Sequence, residues 1–365
     1  MTKDMTQGKI TPLLLEFTIP LVLGNLFQLT YNAADSVIVG KFVGADALAA
    51  VGTSNPIVTM AILFINGLCM GASVLMGNQF GAKDYKTLRR EISTTMISGL
   101  IFSILFSLAC VIAAPLIFNI IQTPDEIKPL GITYLRIIFC GQVFTFVYNF
   151  YSSTLRAMGD SRNPLYFLIL SSVLNVIGDL FFVICLKWDI AGCAISTVLS
   201  EALCCLFCGI YIKKKVDLLC LGKEWLVFDR TLLKKTVSYG WVTAVQQAII
   251  PLGKVVMQSM VNTMGTSAIA AIAAVNRIDD FAYTPQQNIG HATTAFMAQN
   301  DGAKKMDRVK KGFKEGMVLE IIYGVAIMTV CFVFARPIMM MFTDHDEVIA
   351  QGVIYLKLIS LMYVM

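Results

Sequence analysis

The chain has 365 residues, 56% of them hydrophobic and only 15% charged, with a mean hydropathy of +0.71. A soluble domain carries about 25% charged residues, so one or two soluble domains are excluded in favour of a polytopic membrane protein. The net charge of +5 does not indicate a nucleic-acid partner, because the basic residues sit in a few short loops, the pattern of membrane topology. Apolar runs recur between short polar breaks at 12–38, 54–78, 92–121, 131–157, 163–186, 190–212, 233–262, 276–299, 313–342 and 347–365. These predict ten transmembrane helices and an all-α fold. The first run is too long for a signal-peptide core and lacks a small-residue cleavage site.

The first predicted helix carries Asp35 inside "YNAADSVIVG". A charge in hydrocarbon costs about 2.5 to 17 kcal/mol, depending on how it is measured. Helical spacing puts Gln28, Tyr31 and Asp35 on one face. The fifth helix holds Asn175 and Asp179 one turn apart, and the sixth holds Thr197 and Glu201 one turn apart. At about 1.5 Å per residue, these groups share one level in the outer half of the bundle. Carboxylates, a carboxamide and a hydroxyl are hard oxygen ligands. Such a set could bind Na+ directly, or the two acids could share a proton. Either event removes charge from a low-dielectric site and so can bias a conformational equilibrium.

The seventh and eighth helices carry a second polar set: Lys254, Arg277, Asp279, Asp280 and, deeper, His291. An ion pair between Lys254 and Asp279 or Asp280 is expected, with a structural or gating role. His291, one turn after Asn288, reads as hydrogen-bonded packing. Pro20, Pro251 and Pro285 lie inside helices that they can bend. The ten cysteines fall almost entirely in apolar runs, and the lone C-x-x-C of Cys205 and Cys208 has no companion pair. They read as small buried hydrophobes. Nineteen Met and 23 Phe suit a plastic apolar chamber.

The charges of the loops set an orientation. Lys and Arg gather before the first helix and in the second, fourth, sixth and eighth loops, so the N-terminus and the even loops are expected in the cytoplasm. The chain also repeats itself at an offset of 221 residues. "VGADALAAVGTSNPI" at 43–57 matches "MGTSAIAAIAAVNRI" at 264–278, "GNQFGAKD" at 77–84 matches "AQNDGAKK" at 298–305, and "DEIKPLGITYLRII" at 125–138 matches "DEVIAQGVIYLKLI" at 346–359. One unit holds six helices, so the halves share one orientation and face each other across a cavity. The division expected is a first lobe at 1–215, a cytoplasmic linker at 216–230 and a second lobe at 231–365. Met365 corresponds to Phe144, in mid-helix, so the sequence reads as about ten helices of a twelve-helix molecule, truncated at its C-terminal end.

These segments resemble the multidrug and toxic compound extrusion (MATE) transporters over essentially the whole chain. The likeness is carried by "LFQLTYNAADSVIVGKFVGADALAAVG", "GNQFGAKD", "RAMGDSRNPLYFLILSSVLNVIGDLFF" and the repeated "DGAKK". The resemblance implies two six-helix lobes and export of amphipathic, often cationic compounds in exchange for Na+ or H+ by alternating access. In the DNA-damage-inducible prokaryotic branch it implies an ion site on Asp35, Asn175, Asp179 and Thr197, which would be the metal site if Na+ is the ion. It also implies an N-lobe cavity lined by Gln28, Tyr31 and Asn149, with Glu201 close by. The NorM-type branch has a Glu in the seventh helix, where this chain has Gln246, Gln247 and Lys254 and no acid. The expected partners are small molecules and the bilayer of the cell membrane. The chain is expected to be a monomer without nucleic acid, catalytic residues or any cofactor beyond the coupling ion.

Two other readings are open. A lipid-linked glycan flippase of the same superfamily would show a strongly cationic cavity, and here intramembrane cations are few. An intramembrane aspartyl protease needs Gly-x-Gly-Asp and an adjacent Tyr-Asp. Val176 stands at the first glycine position, and Tyr31 is four residues from Asp35. No GxxxxGK[ST] phosphate loop is present, so ATP is not the direct energy source.

Overall fold

The computed structural model describes residues 3–121, 123–219, 226–261, 266–343 and 345–364. Cys220 lies outside them, as does the side chain of Pro251. Among the described residues there is no strand, as hydrocarbon requires of an apolar chain that must satisfy its own backbone. The helices are α1 (Ile10–Ile38), α2 (Ala45–Gly81), α3 (Tyr85–Ile120), α4 (Lys128–Ala157), α5 (Arg162–Asp179) and α6 (Asp189–Lys215) in the first half. The second half has α7 (Arg230–Val261), α8 (Thr266–Gly302), α9 (Met306–Val333), the short α10 (Ala335–Met340) and α11 (Asp346–Ser360). Eight of the long helices are apolar enough to cross a membrane by composition; α7 and α8 have the length but are more polar. Pro20 and Pro285 fall inside α1 and α8.

One predicted span is corrected. The run at 313–342 is not a single helix but breaks at Phe334 between α9 and α10. Pro337 explains the break. It has no N–H to give to the carbonyl four residues back, but it fits the first turn of a new helix.

The face that carries the N-terminus and the basic loops is closed by the repeat packing on its own copy. A Cβ on Gly81 would lie 1.8 Å from the Gln299 carbonyl oxygen, and one on Gly302 would lie 1.8 Å from that of Asn78. Asn78 and Gln299 are 221 residues apart, as are Gly81 and Gly302, so the two contacts are copies of each other. Lys83 and Lys304, also 221 apart, both turn the chain at φ 58°. Asn78 donates to Asp301 at 2.7 Å, and Gln299 Nε2 donates to the Ala157 carbonyl at 2.7 Å. The segment before α1 fills the seam: Lys3 N donates to Met158 O, and Met5 N donates to Gln299 Oε1. Arg308 donates to the Met5 and Gly8 carbonyls.

Elsewhere the halves meet where α2 packs on α7 and α8, and where α1 packs on α8 and α9. Leu14, Phe17 and Leu21 of α1 form one apolar core with Ala292 and Phe296 of α8. The segment leading into α7 is docked on α3. Val227 N donates to Ser93, Asp229 N donates to Thr94, Arg90 pairs with Asp229 at 2.8 Å, and Thr236 donates to the buried Glu91.

Candidate functional site

Both predicted acids sit where an α-helix widens into a π turn. Asp35 precedes the π turn Val39–Val43, and Asp179 precedes Leu180–Cys185. The wide turns are held by Gly44 N to Val39 O and Leu186 N to Phe181 O, and they touch each other. Such turns are frequent at functional sites because they displace a side chain from regular helical register.

A carboxylate oxygen of Asp35, one of Asp179 and the Cys193 Sγ all lie within 4.8 Å of one another. Asp179 is fully buried and Asp35 partly so. Around them, Asn175 Nδ2 donates to Thr197 Oγ1 at 3.2 Å, and Thr197 donates to the Cys193 carbonyl at 3.0 Å. Ser196 donates to the Asn175 carbonyl at 2.9 Å. Gly178 permits this closeness of α5 and α6, since a Cβ there would stand 2.4 Å from the Ser196 hydroxyl. The structure therefore brings Asp35, Asn175, Asp179 and Thr197 into one cluster.

Four oxygens in that cluster are buried and receive no hydrogen bond: Asp35 Oδ1, both carboxylate oxygens of Asp179, and Asn175 Oδ1. Buried acceptors without donors are rare and need an explanation. Three of them belong to the two carboxylates that approach each other, which suits a cation or a proton between the acids. Cys193, Ser196 and Tyr134, which also lies within electrostatic reach of both acids, were not legible as site residues. A thiol is a soft ligand and a poor partner for Na+, so Cys193 packs against the oxygen set and does not complete it.

Tyr31, Tyr148, Arg156, Glu201 and His291 are each enclosed by protein on all sides yet keep accessible surface. Each is thus deep among the helices but still within reach of a solvent-sized probe, as residues bordering a space between the helices are. Four come from the first half, and His291 comes from the second. Gln28 hydrogen-bonds Tyr31, which lies within electrostatic reach of Glu201. Glu201 accepts from Thr145 at 2.5 Å, and Asn149 donates to the Thr145 carbonyl at 2.9 Å. The wall thus runs from the acid pair past Tyr31 and Glu201 to Arg156. A separate cavity of about 330 Å3 lies under the N-terminal segment, but its Lys3 and Arg162 both pair with Glu16.

In the second half, the Lys254 ammonium stands 2.9 Å from Asp280 and 3.2 Å from Asp279, which also accepts from Tyr363 at 3.0 Å. Arg277 and His291 do not join this group, contrary to the expected cluster. Arg277 shares a side of α8 with Asp280, three residues on, but that carboxylate is taken by Lys254. Arg277 is exposed and makes no ion pair among the described residues. His291 lies three turns further down α8, within electrostatic reach of Arg156. Asn288 meets α1 through Asn25 Nδ2 at 3.4 Å. Glu320, midway along α9, was overlooked in the sequence. It has no hydrogen bond or ion pair among the described residues. Cys205 and Cys208 are free thiols.

The sequence profile of the MatE family matches residues 20–181 and 243–365. The chain is 31% identical over 361 residues to a Bacillus subtilis protein called probable multidrug resistance protein YpnP, spanning 99% of this chain and 80% of that one. It is 30% identical over 340 residues to another B. subtilis protein, probable multidrug resistance protein YoeA, spanning 91% of this chain and 73% of that one. A solved structure described as the outward-facing conformation of a multidrug resistance MATE family transporter has the same fold. Its TM-score is 0.91 at 22% identity, over 99% of this chain and 81% of that one.

Proposed function

The chain belongs to the MatE family of multidrug efflux transporters, and from that premise we propose that it exports amphipathic compounds, cationic ones among them, in exchange for Na+ or H+. The observation that carries this reading is the close approach of the Asp35 and Asp179 carboxylates, whose buried oxygens lack donors, as does Asn175 Oδ1, one turn before Asp179 in α5. Two carboxylates this close repel when both are charged, so a bound cation or proton stabilises the cluster. Na+ would be held by Asp35, Asp179 and Asn175, with Thr197 fixing the carboxamide. A proton would be shared by the two acids. Occupancy changes the charge on α1, α5 and α6 together, and so changes the relative stability of two arrangements of the halves.

The basic face is assigned to the cytoplasm by its loop charges. The packing of Gly81 and Gly302 that closes this face supports an outward-open state in an alternating-access cycle. The lobes would be 1–215 and 231–365, joined by 216–230, in the cell membrane. The test is transport of a fluorescent amphipathic cation in vesicles under an imposed Na+ gradient or an imposed pH gradient. Accumulation driven by one of the two is expected. Accumulation indifferent to both would remove the coupling.

A further inference from the structure

We propose that the floor of the space between the helices is an anion site, where Arg156, within electrostatic reach of His291 across the seam between the halves, receives the oxyanion head of an amphipathic substrate. The head is a carboxylate, phosphate or sulfonate. The proposal rests on that space being the substrate chamber of an exporter.

Arg156 is the penultimate residue of α4. A cation there ordinarily sits at the helix's C-terminal carbonyls or runs out to water. Side chains on a helix lean toward its N-terminus, and this one follows the rule. Its guanidinium comes within electrostatic reach of Tyr148, two turns back along α4. It also comes within reach of His291, which is eleven residues before the end of α8 at Gly302. Eleven residues correspond to about 16 Å above the basic face. The guanidinium is therefore held inside, just above the Gln299–Ala157 bond that closes that face.

No acid answers it. Among the described residues Arg156 makes no ion pair and no hydrogen bond, and its Nε is buried without a partner. Other cations near it are saturated: Arg308 has three acceptors and Lys305 has two. Lys254 has two carboxylates. Arg156 has neither a carboxylate nor a neutral acceptor among the described residues. A guanidinium is a planar fork that matches an oxyanion with two parallel hydrogen bonds, and an imidazole adds an N–H donor. The acids of the chamber, Asp35, Asp179 and Glu201, lie toward the opposite end. A molecule with an apolar body and an oxyanion head is thus oriented head down, touching both halves at once.

The test is equilibrium binding to the whole protein in phosphatidylcholine nanodiscs, with no gradient imposed. The probes are 2-naphthoate and its uncharged isostere 2-naphthamide. Naphthoate should bind more tightly. Arg156→Gln should weaken naphthoate by about ten- to a hundredfold, the worth of charge-assisted hydrogen bonds, and leave naphthamide unchanged. Adding phosphatidylglycerol separates the sources of the head group. Competition with naphthoate in the wild type but not in the variant identifies a lipid head, and its absence identifies a soluble amphipath. Equal affinity of the wild type for both probes would overturn the proposal without reference to any variant. So would an Arg156→Gln protein that melts normally and either keeps the preference for naphthoate or loses both probes alike. Because no gradient is involved, failure here leaves ion-coupled export untouched, and failure of coupling leaves this result standing.

Discussion

Asp35 and Asp179 differ in burial, yet each depends on the other. Asp179 is fully enclosed with both carboxylate oxygens unpartnered, whereas Asp35 keeps some exposure. Removing either charge leaves one carboxylate that no longer needs a cation to relieve repulsion. Asp35→Asn should therefore erase the effect of Na+ or pH on substrate affinity. Allosteric couplings are typically about 5- to 150-fold, so the ratio measured with and without the ion should fall close to one, with expression and melting temperature largely kept. A well-folded Asp35→Asn protein that retained ion-driven export would refute the site. Asp35, Asn175, Asp179 and Thr197 could be found in the sequence because rare polar groups recur there at helical spacing. Cys193 and Ser196 could not, because thiols and hydroxyls are ordinary in apolar helices and nothing in their spacing sets them apart. Glu320 has a visible signal, a single acid within "MVLEIIYG", but no second acid or carboxamide stands at helical spacing from it.

At the scale of elements, the α2–α8 crossing is a backbone contact that tolerates no side chain. A methyl on Gly81 would meet the Gln299 carbonyl oxygen at 1.8 Å, and backbone cannot rotate away as a side chain can. Gly81→Ala should cost about 1–3 kcal/mol, the usual range for overpacking, as a lowered thermal midpoint. Gly209→Ala, with nothing within 4 Å of the added methyl, should not lower it. An unchanged midpoint for Gly81→Ala would mean that the halves are not closed on this face in solution. The entry to α7 offers a second test. The N–H groups of Leu232 and Thr231 hold the Asp229 carboxyl below the usual carboxylate range, with Arg90 adding to the effect. A lowered value stabilises the fold at pH above the ordinary value of about 3.9, and that contribution is lost as the pH falls through the lowered one. Asp229→Ala should accordingly flatten the loss of stability on acidification below about pH 4, read by unfolding at stepped pH. The helices and the 221-residue repeat were legible because apolar runs of membrane length stand out from their polar breaks. The break at Phe334 and the two π turns were not. The first hides in an unbroken apolar run with only Pro337 to mark it, and the π turns arise from packing between α1, α5 and α6.

The whole molecule repeats its backbone but not its chemistry. Asp35 corresponds to Val256 and Glu320 to Gly99 across the 221-residue offset, so neither acid has a counterpart. The second half does have two adjacent acids, Asp279 and Asp280, but both lie against the Lys254 ammonium, and Asp279 is also held by Tyr363. A carboxylate with a permanent cation beside it has its charge already balanced, so arrival of Na+ or a proton gains little there. Glu320 stands alone, without the second carboxylate whose repulsion makes a cation favourable. Among the described residues, only the first half combines two close acids, unpartnered oxygens and no ion-paired cation. Ion dependence should therefore reside entirely in the first half. Asp179→Asn is expected to abolish the ion dependence of substrate binding. Asp279→Asn with Asp280→Asn, which leaves Lys254 uncompensated, should lower stability or transport rate while keeping that dependence, and Glu320→Gln should keep it too. The measurement is substrate affinity with and without Na+, and across pH, for the three proteins in one lipid. If Asp179→Asn kept the dependence and either second-half variant lost it, the coupling site would have to be moved to the second half.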